Sequence, residues 1–113
     1  MNAIERRLAA IAAATLLLAG SSHAQDAQTL RTRSLAATCA QCHETEGRAV
    51  TMPALPPLAG MPAATLIEQM TALKSGARPG TVMPQIAKGF SDAQIVQLAN
   101  YFATVTPKAA PRP

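Results

Sequence analysis

The chain has 113 residues, of which 49% are hydrophobic, 14% charged and 3% aromatic, and its formal net charge is +4. This length allows one small domain with a thin core. The positive residues are scattered along the sequence, and its only aromatic residues are Phe90, Tyr101 and Phe102. Nucleic-acid binding is therefore excluded, because it needs clustered cations or stacking rings.

The N-terminus is typical of a secretory signal. Arg6 and Arg7 supply the positive start, and residues 8–19 form an apolar run that is short for a membrane span. Small residues at Ser22 and Ala24 suit a signal peptidase, so we predict cleavage after Ala24. An uncleaved anchor helix is the alternative. The predicted organisation is a signal at 1–24, a domain at 25–106 and a flexible proline-rich tail at 107–113.

Three main helices are predicted, with no internal repeat and no strand-rich segment. The first runs from about Asp26 or Thr29 through Thr38. One side of it carries apolar and small residues: Leu30, Ser34 and Ala37, with Leu35 beside them.

The second helix is bounded by Gly60 before it, Pro62 at an early position and Gly76 at its end. It carries an apolar stripe with helical spacing: Leu66, Met70 and Leu73. Prolines stiffen the loops on either side of this helix. They are Pro53, Pro56 and Pro57 in the first loop and Pro79 and Pro84 in the second.

The third helix has the strongest start signal. Ser91 and Gln94 form an S-x-x-Q capping box, and Asp92 adds negative charge near the positive end of the helix. One apolar face follows, made of Ile95, Leu98, Ala99 and Phe102. Pro107 ends the helical pattern.

The segment Cys39-Ala40-Gln41-Cys42-His43 is a C-x-x-C-H motif, the signature of covalent haem attachment. Two thiols at this spacing can each add to one vinyl group of a single haem, and the adjacent histidine then reaches the iron. We therefore predict one haem c, with thioether bonds to Cys39 and Cys42 and with His43 as the proximal ligand. Export is consistent with this, since such haems are attached outside the bacterial cytoplasm.

Two other interpretations of the cysteine pair were weighed. A zinc site needs further ligands, but the sequence has no third cysteine and its only other histidine is His23, in the signal. A thioredoxin-like dithiol needs strands alternating with helices. Haem attachment is favoured over both.

A low-spin electron carrier needs a second axial ligand, usually a methionine thioether. Met70 lies on the apolar stripe and suits packing, and Met52 follows His43 too closely. Met61 is possible. Met83 lies far enough along the chain to reach the opposite haem face, and Pro84 follows it, so we predict Met83 as the ligand.

These residues resemble class I cytochromes c, in particular the bacterial group that contains cytochrome c4 and the haem subunit of flavocytochrome c sulfide dehydrogenase. The resemblance is carried by CAQCH and by three further blocks. These are LPPLAG at 55–60, LIEQMTALKSGARP at 66–79 and TVMPQIAKGFSDAQIVQLANYFA at 81–103. The last block is most similar to the sulfide dehydrogenase subunit.

The resemblance implies a small all-α fold, with three main helices and loops around one covalent haem and with the first and last helices crossing near its edge. It implies the same four haem contacts: Cys39, Cys42, His43 and Met83. It also implies that the Pro56 carbonyl accepts a hydrogen bond from His43, which would orient the ring. Arg78 is implied to lie near the haem propionates.

The sequence departs from the family pattern in three ways. Glu44 stands where the family has glycine after the histidine, so a different turn is expected there. Arg31 and Thr32 occupy a region where many members have a small residue at the helix crossing. The second helix lacks the family's aromatic residues, so its packing is expected to be aliphatic.

The sequence thus predicts a periplasmic monohaem cytochrome that transfers single electrons and is not itself an enzyme. Its partners would be redox proteins, without nucleic acid and without a membrane span after signal cleavage. It could be the haem subunit that accepts electrons from a sulfide-oxidising flavoprotein, or a free carrier to a terminal oxidase. A haem-based sensor is the alternative from another class.

Overall fold

The computed structural model describes residues 2–49 and 55–108. The described residues form helices and contain no strand, which confirms the all-α class. Five α-helices follow in chain order: α1 Ala3–Ala37, α2 Ala40–His43, α3 Ala63–Ser75, α4 Met83–Lys88 and α5 Asp92–Thr104. A short 3-10 helix covers Thr45–Gly47. Met52, Pro53 and most of the predicted tail lie outside the described residues.

The chain divides into two compact units, Met1–Arg31 and Thr32–Pro113. Among the described helices, none is both long and apolar enough to cross a membrane. The predicted signal cleavage after Ala24 is not tested by this division and stays a prediction.

The first helix differs from its prediction in length and in its buried side. It begins at Ala3, well before the predicted start. Leu30 is 65% exposed, and Ser34 and Ala37 are exposed as well. Ala36 is buried and Leu35 is half-buried, so the predicted apolar face was wrong. A helix with so few large apolar residues does not mark its inner side by periodicity alone.

The second and third predicted helices correspond to α3 and α5. Pro62 is the residue before α3, and Gly76 ends it in the left-handed conformation at φ 84°. At α5, the Ser91 side chain accepts a hydrogen bond from the Gln94 backbone at 3.2 Å. The Gln94 side chain accepts one from the Ser91 backbone at 2.8 Å, which completes the predicted capping box.

The six residues of α4 were predicted as loop. Pro84 lies in the first turn of this helix, where its missing N–H costs no hydrogen bond. Pro84 therefore starts a helix as well as stiffening the chain. The result is that Met83 is held at a helix N-terminus.

The core lies where α1, α3 and α5 meet. Its buried cluster consists of Ala36, Leu66, Leu98, Ala99 and Phe102. Burying each large side chain contributes about 1.5–3 kcal/mol. The Gln97 side chain also donates a 2.6 Å hydrogen bond to the Thr32 hydroxyl. Thr32, one of the departures from the family pattern, therefore ties the end of α1 to α5.

Candidate haem-binding site

A cavity of about 410 Å³ lies within the second unit, Thr32–Pro113, and its wall is mainly apolar. The structure brings every predicted site residue to this wall: Cys39, Cys42, His43, Pro56 and Met83. The wall also includes Arg78 and the two other described candidate thioethers, Met61 and Met70. The fold therefore brings these residues to one cavity although they are far apart in the sequence.

Cys39 lies in the turn between α1 and α2, and Cys42 lies within α2. The Cys39 backbone N–H donates to Ala36 at the end of α1, and the His43 N–H donates to the Cys39 carbonyl at 2.9 Å. Cys39 is half-buried, whereas Cys42 is exposed, and both are free. Burial raises the pKa of the Cys39 thiol, and a hydrogen bond with the Thr38 side chain lowers it by less. For a thiol at this position, burial therefore favours the protonated form over the thiolate.

His43 is only 7% exposed, and its Nδ1 lies 2.9 Å from the Pro56 carbonyl oxygen. A carbonyl can only accept, so Nδ1 carries the proton and donates it. In the neutral imidazole this leaves the lone pair on the other ring nitrogen, Nε2, which is what a metal ligand requires. This contact is the one that the resemblance implies. It fixes both the tautomer and the direction of the imidazole.

The turn after His43 uses a conformation that favours glycine, although the residue is glutamate. Glu44 has φ 61° and ψ 172°, and Glu46 also has a positive φ of 56°. The first of these backbone geometries is almost restricted to glycine and costs about 1–3 kcal/mol in other residues. Glu44 therefore holds a glycine-type backbone geometry under strain, and the expectation that this turn differs from the family pattern stays a prediction.

Gly47 connects this turn to a segment further along the chain. Its carbonyl accepts hydrogen bonds from Leu58 at 2.7 Å and Ala59 at 3.0 Å. A Cβ added to Gly47 would lie 2.7 Å from the Leu58 Cβ and 2.9 Å from the Phe102 ring, at a φ of 69°. Sequence reasoning missed this residue, because its constraint comes from side chains far along the chain.

Charged side chains tie the same turn to the end of α5. Arg48 lies 2.8 Å from the Glu46 carboxylate and donates to the Thr106 carbonyl at 3.0 Å. Arg33 approaches Glu46 more loosely, at 4.0 Å. The Gly60 N–H donates to the Phe102 carbonyl at 2.9 Å. The histidine side of the cavity is therefore held mainly by hydrogen bonds between distant segments.

A second part of the cavity wall is built from the segment between α3 and α5. The Arg78 N–H donates to the Ala72 carbonyl at 3.0 Å where this segment begins. At its end, the Lys74 ammonium donates to the Phe90 carbonyl at 2.8 Å and to the Asp92 carboxylate at 2.7 Å. Met83 lies between these two anchoring points, half-buried and on the cavity wall.

The three described thioethers differ in their packing. Met61 and Met70 contact the hydrophobic core cluster, whereas Met83 is not among the residues packed against it. A methionine that fills the core contributes to packing. Among the three methionines, Met83 is therefore the one that contributes least to core packing.

The residues around this cavity fit a haem. Its lining is mostly apolar, as a porphyrin plate requires, and an oriented imidazole with a free Nε2 lies on it. Two thiols lie on the wall beside that imidazole, and a thioether is available at α4. No cluster of three or more His, Cys, Asp or Glu side chains that could hold a metal ion occurs in 2–49 or 55–108. Within these residues, the cysteine pair is not accompanied by the additional ligands that a zinc site uses.

Comparison with known families agrees with this geometry. A family model described as cytochrome c oxidase, cbb3-type, subunit III, matches residues 26–102. The chain belongs to this family of c-type cytochrome domains. Membership confirms the cytochrome c resemblance and the electron-transfer class, and this class implies a covalently bound haem.

Individual relatives are named for electron transfer. A thiosulfate dehydrogenase electron acceptor from Thiomonas intermedia (strain K12) is 37% identical over 78 residues, which are 69% of this chain and 36% of that protein. Cytochrome c4 from Azotobacter vinelandii is 31% identical over 102 residues, 82% of this chain and 48% of the relative. The cytochrome subunit of sulfide dehydrogenase from Chlorobaculum tepidum is 31% identical over 74 residues, 66% of each protein. The matches thus span roughly a third to two thirds of these relatives.

Proposed function

We propose that this chain is a periplasmic monohaem cytochrome c that passes single electrons through a haem ligated by His43 and Met83. The observation that carries the proposal is the single cavity wall that unites both thiols, the oriented imidazole and the α4 thioether. Two axial protein ligands leave no open coordination position for a substrate. This arrangement favours electron transfer over catalysis or sensing.

The chain's own residues would set the properties of the site. A haem bound there supplies an iron centre that changes its charge by one electron. The apolar wall, with Leu66, Leu98 and Phe102, excludes water and disfavours the more highly charged oxidised form. The Pro56 carbonyl makes His43 a stronger donor and prevents it from rotating. We propose that Arg78, which is exposed at the cavity wall, interacts with the haem propionates, as the resemblance implies.

The names of the relatives favour a partner in inorganic sulfur oxidation. One is called the electron acceptor of thiosulfate dehydrogenase, and another the cytochrome subunit of sulfide dehydrogenase. We propose that a dehydrogenase of this kind donates electrons to the present chain, with a sulfide-oxidising flavoprotein as one candidate. A free carrier that delivers electrons to a terminal oxidase is the second candidate, favoured by the match to cytochrome c4.

A spectroscopic comparison of two methionine variants tests the proposed ligand. Ferric haem bound by methionine sulfur has a weak far-red absorption band. Met83→Ala should abolish this band and allow carbon monoxide to bind the ferrous protein at neutral pH. Met61→Ala is the matched control, because Met61 lies on the same cavity wall but packs against the core.

The opposite pattern would overturn the assignment. A band that survives in Met83→Ala and disappears in Met61→Ala would identify Met61 as the ligand. Ready binding of carbon monoxide by the unsubstituted protein would instead favour the sensor alternative.

A further inference from the structure

The residues that follow α5 contact the loop that carries Pro56. A Cβ added to Gly60 in this loop would lie 2.6 Å from the Pro107 Cγ and 3.1 Å from its Cδ, so the proline ring packs directly on the Gly60 backbone. The Phe102 carbonyl accepts a hydrogen bond from the Gly60 N–H at 2.9 Å and another from the Val105 N–H at 3.2 Å. The end of α5 is therefore joined closely to the loop after Pro56.

The same residues are also bonded to the turn that follows His43. The Arg48 side chain donates from Nε to the Thr106 carbonyl at 3.0 Å, and its Nη1 lies 2.8 Å from the Glu46 carboxylate. Arg48 is half-buried, which restricts its side chain to fewer positions than a fully exposed arginine has. The turn after His43 is therefore tied to the residues that follow α5.

Both sets of contacts affect one hydrogen bond. The turn starts at His43, and the loop carries Pro56, whose carbonyl oxygen lies 2.9 Å from the His43 Nδ1. The Gly47 carbonyl joins turn and loop directly, and the residues after α5 add a second link between them. Since α5 is fixed in the core through Phe102, this second link connects the hydrogen bond to a rigid part of the fold.

We propose that Val105, Thr106 and Pro107 act with Arg48 to position the His43 imidazole. We call these three residues the α5 strap. All three are absent from the described cavity wall, so they act through the Pro56 carbonyl and not by touching a haem. The predicted tail thus begins with a residue, Pro107, that has a role in the site.

This inference rests on the proposed function, because the direction of the ring matters only if His43 binds the iron. A firm hydrogen bond from Nδ1–H makes Nε2 a stronger electron donor. A stronger donor stabilises oxidised iron more than reduced iron, and hydrogen bonding around a ligand is one of the means by which a protein sets the potential. Loosening the α5 strap should therefore raise the midpoint potential.

Pro107→Ala in the haem-loaded full chain is the main test. It changes no charge and removes the two ring carbons that lie closest to Gly60. Nuclear magnetic resonance of the reduced protein would give the rate at which the His43 ring N–H exchanges with solvent, and a redox titration would give the midpoint potential. We expect exchange to be about threefold to tenfold faster, because an apolar contact of two methylene groups is lost, and the potential to rise.

The matched control is Thr104→Ala, at the same end of α5. Thr104 is exposed and uncharged, and its hydroxyl donates to the Tyr101 carbonyl within the helix at 2.7 Å. This variant loosens the helix end but keeps the ring of Pro107 on Gly60, so it should change neither readout. Equal changes in Thr104→Ala and Pro107→Ala would overturn the proposal, and so would faster exchange without a rise in potential.

A second pair of variants tests the link through Thr106. Arg48→Gln removes the donor to the Thr106 carbonyl together with one positive charge. Arg33→Gln removes an equal charge 4.0 Å from the same Glu46 carboxylate while the Arg48 bond stays. Ring N–H exchange should become faster in Arg48→Gln alone. Similar exchange in both variants would reject this link. If Pro107→Ala fails to bind haem, the arginine pair decides alone.

The unsubstituted protein separates this inference from the proposed function. In its reduced form, the ring signals of His43 should be moved upfield by the haem. The absence of that displacement would contradict the ligation by His43 on which the proposed function depends. Displaced signals with the same exchange rate and the same potential in all variants would keep the function and reject the α5 strap.

Discussion

Two parts of the cavity wall, one around His43 and one around Met83, are held in different ways. On the histidine side, hydrogen bonds join the turn after the C-x-x-C-H motif to Pro56, Leu58 and Thr106. On the Met83 side, the segment between α3 and α5 is bonded to neighbouring elements near its two ends. In the described part of the chain, these hydrogen bonds lie at Arg78 and Phe90. The chain therefore fixes the histidine in advance, while the position of the thioether depends on packing and on the bond it would form.

The largest expected effect comes from adding a side chain at Gly47, on the histidine side of the cavity. Gly47→Ala should lower the free energy of unfolding of the haem-loaded protein by about 3 kcal/mol or more, because a Cβ has no room and the backbone is left-handed. Chemical denaturation followed by circular dichroism would measure it.

Gly76→Ala, at the C-terminal end of α3, is the control. Gly76 is also left-handed, but an added Cβ meets nothing within 4 Å. Its substitution should therefore cost only about 1–2 kcal/mol, the backbone part of the penalty. Equal costs at the two glycines would contradict the view that the histidine side is the more tightly constrained wall.

Relief of the strained turn should have the next largest effect, with the opposite sign. Glu44→Gly should raise the free energy of unfolding by about 1–2 kcal/mol, since glycine adopts this backbone geometry without strain. Glu44→Ala removes the same carboxylate but keeps a Cβ, so it should give no such gain. The two variants would be compared by thermal unfolding. A glycine variant no more stable than the alanine variant would mean that Glu44 stores no strain.

The smallest effect is expected where the Met83 segment joins α5. Ser91→Ala removes the capping hydrogen bond to Gln94 and should cost about 1 kcal/mol. Ser75→Ala, at the end of α3, removes a bond to the Ala72 carbonyl and a long bond of 3.4 Å from the Ala77 N–H, and it should cost less. Denaturant titration of both variants would check the order. A reversed order would show that the capping box does not anchor this wall.

Local signals in the sequence predicted the parts of the fold that depend on neighbouring residues. The capping box at Ser91 and the glycine that ends α3 are of this kind, and both are present. The C-x-x-C-H motif is also a local signal, because its chemistry lies within five consecutive residues, 39–43. Family membership supports the haem that this motif predicts.

The parts that were not predicted depend on contacts between distant residues or on weak signals. The constraint on Gly47 comes from Leu58 and Phe102, which no local pattern connects to it. The buried side of α1 depends on the helices that cover it. Leu30 fits the apolar periodicity but is exposed, so the predicted apolar face was wrong. The α4 helix is short, and Pro84 was interpreted as a loop residue although it also suits a first helical turn.

The most direct test of the haem site is the intact mass of the protein purified from cells that can attach haem c, combined with a thiol titration. We predict the mass of a chain beginning at Gln25 plus one haem, with no titratable thiol at Cys39 or Cys42. A colourless protein with two reactive thiols would contradict the covalent site and everything inferred from it.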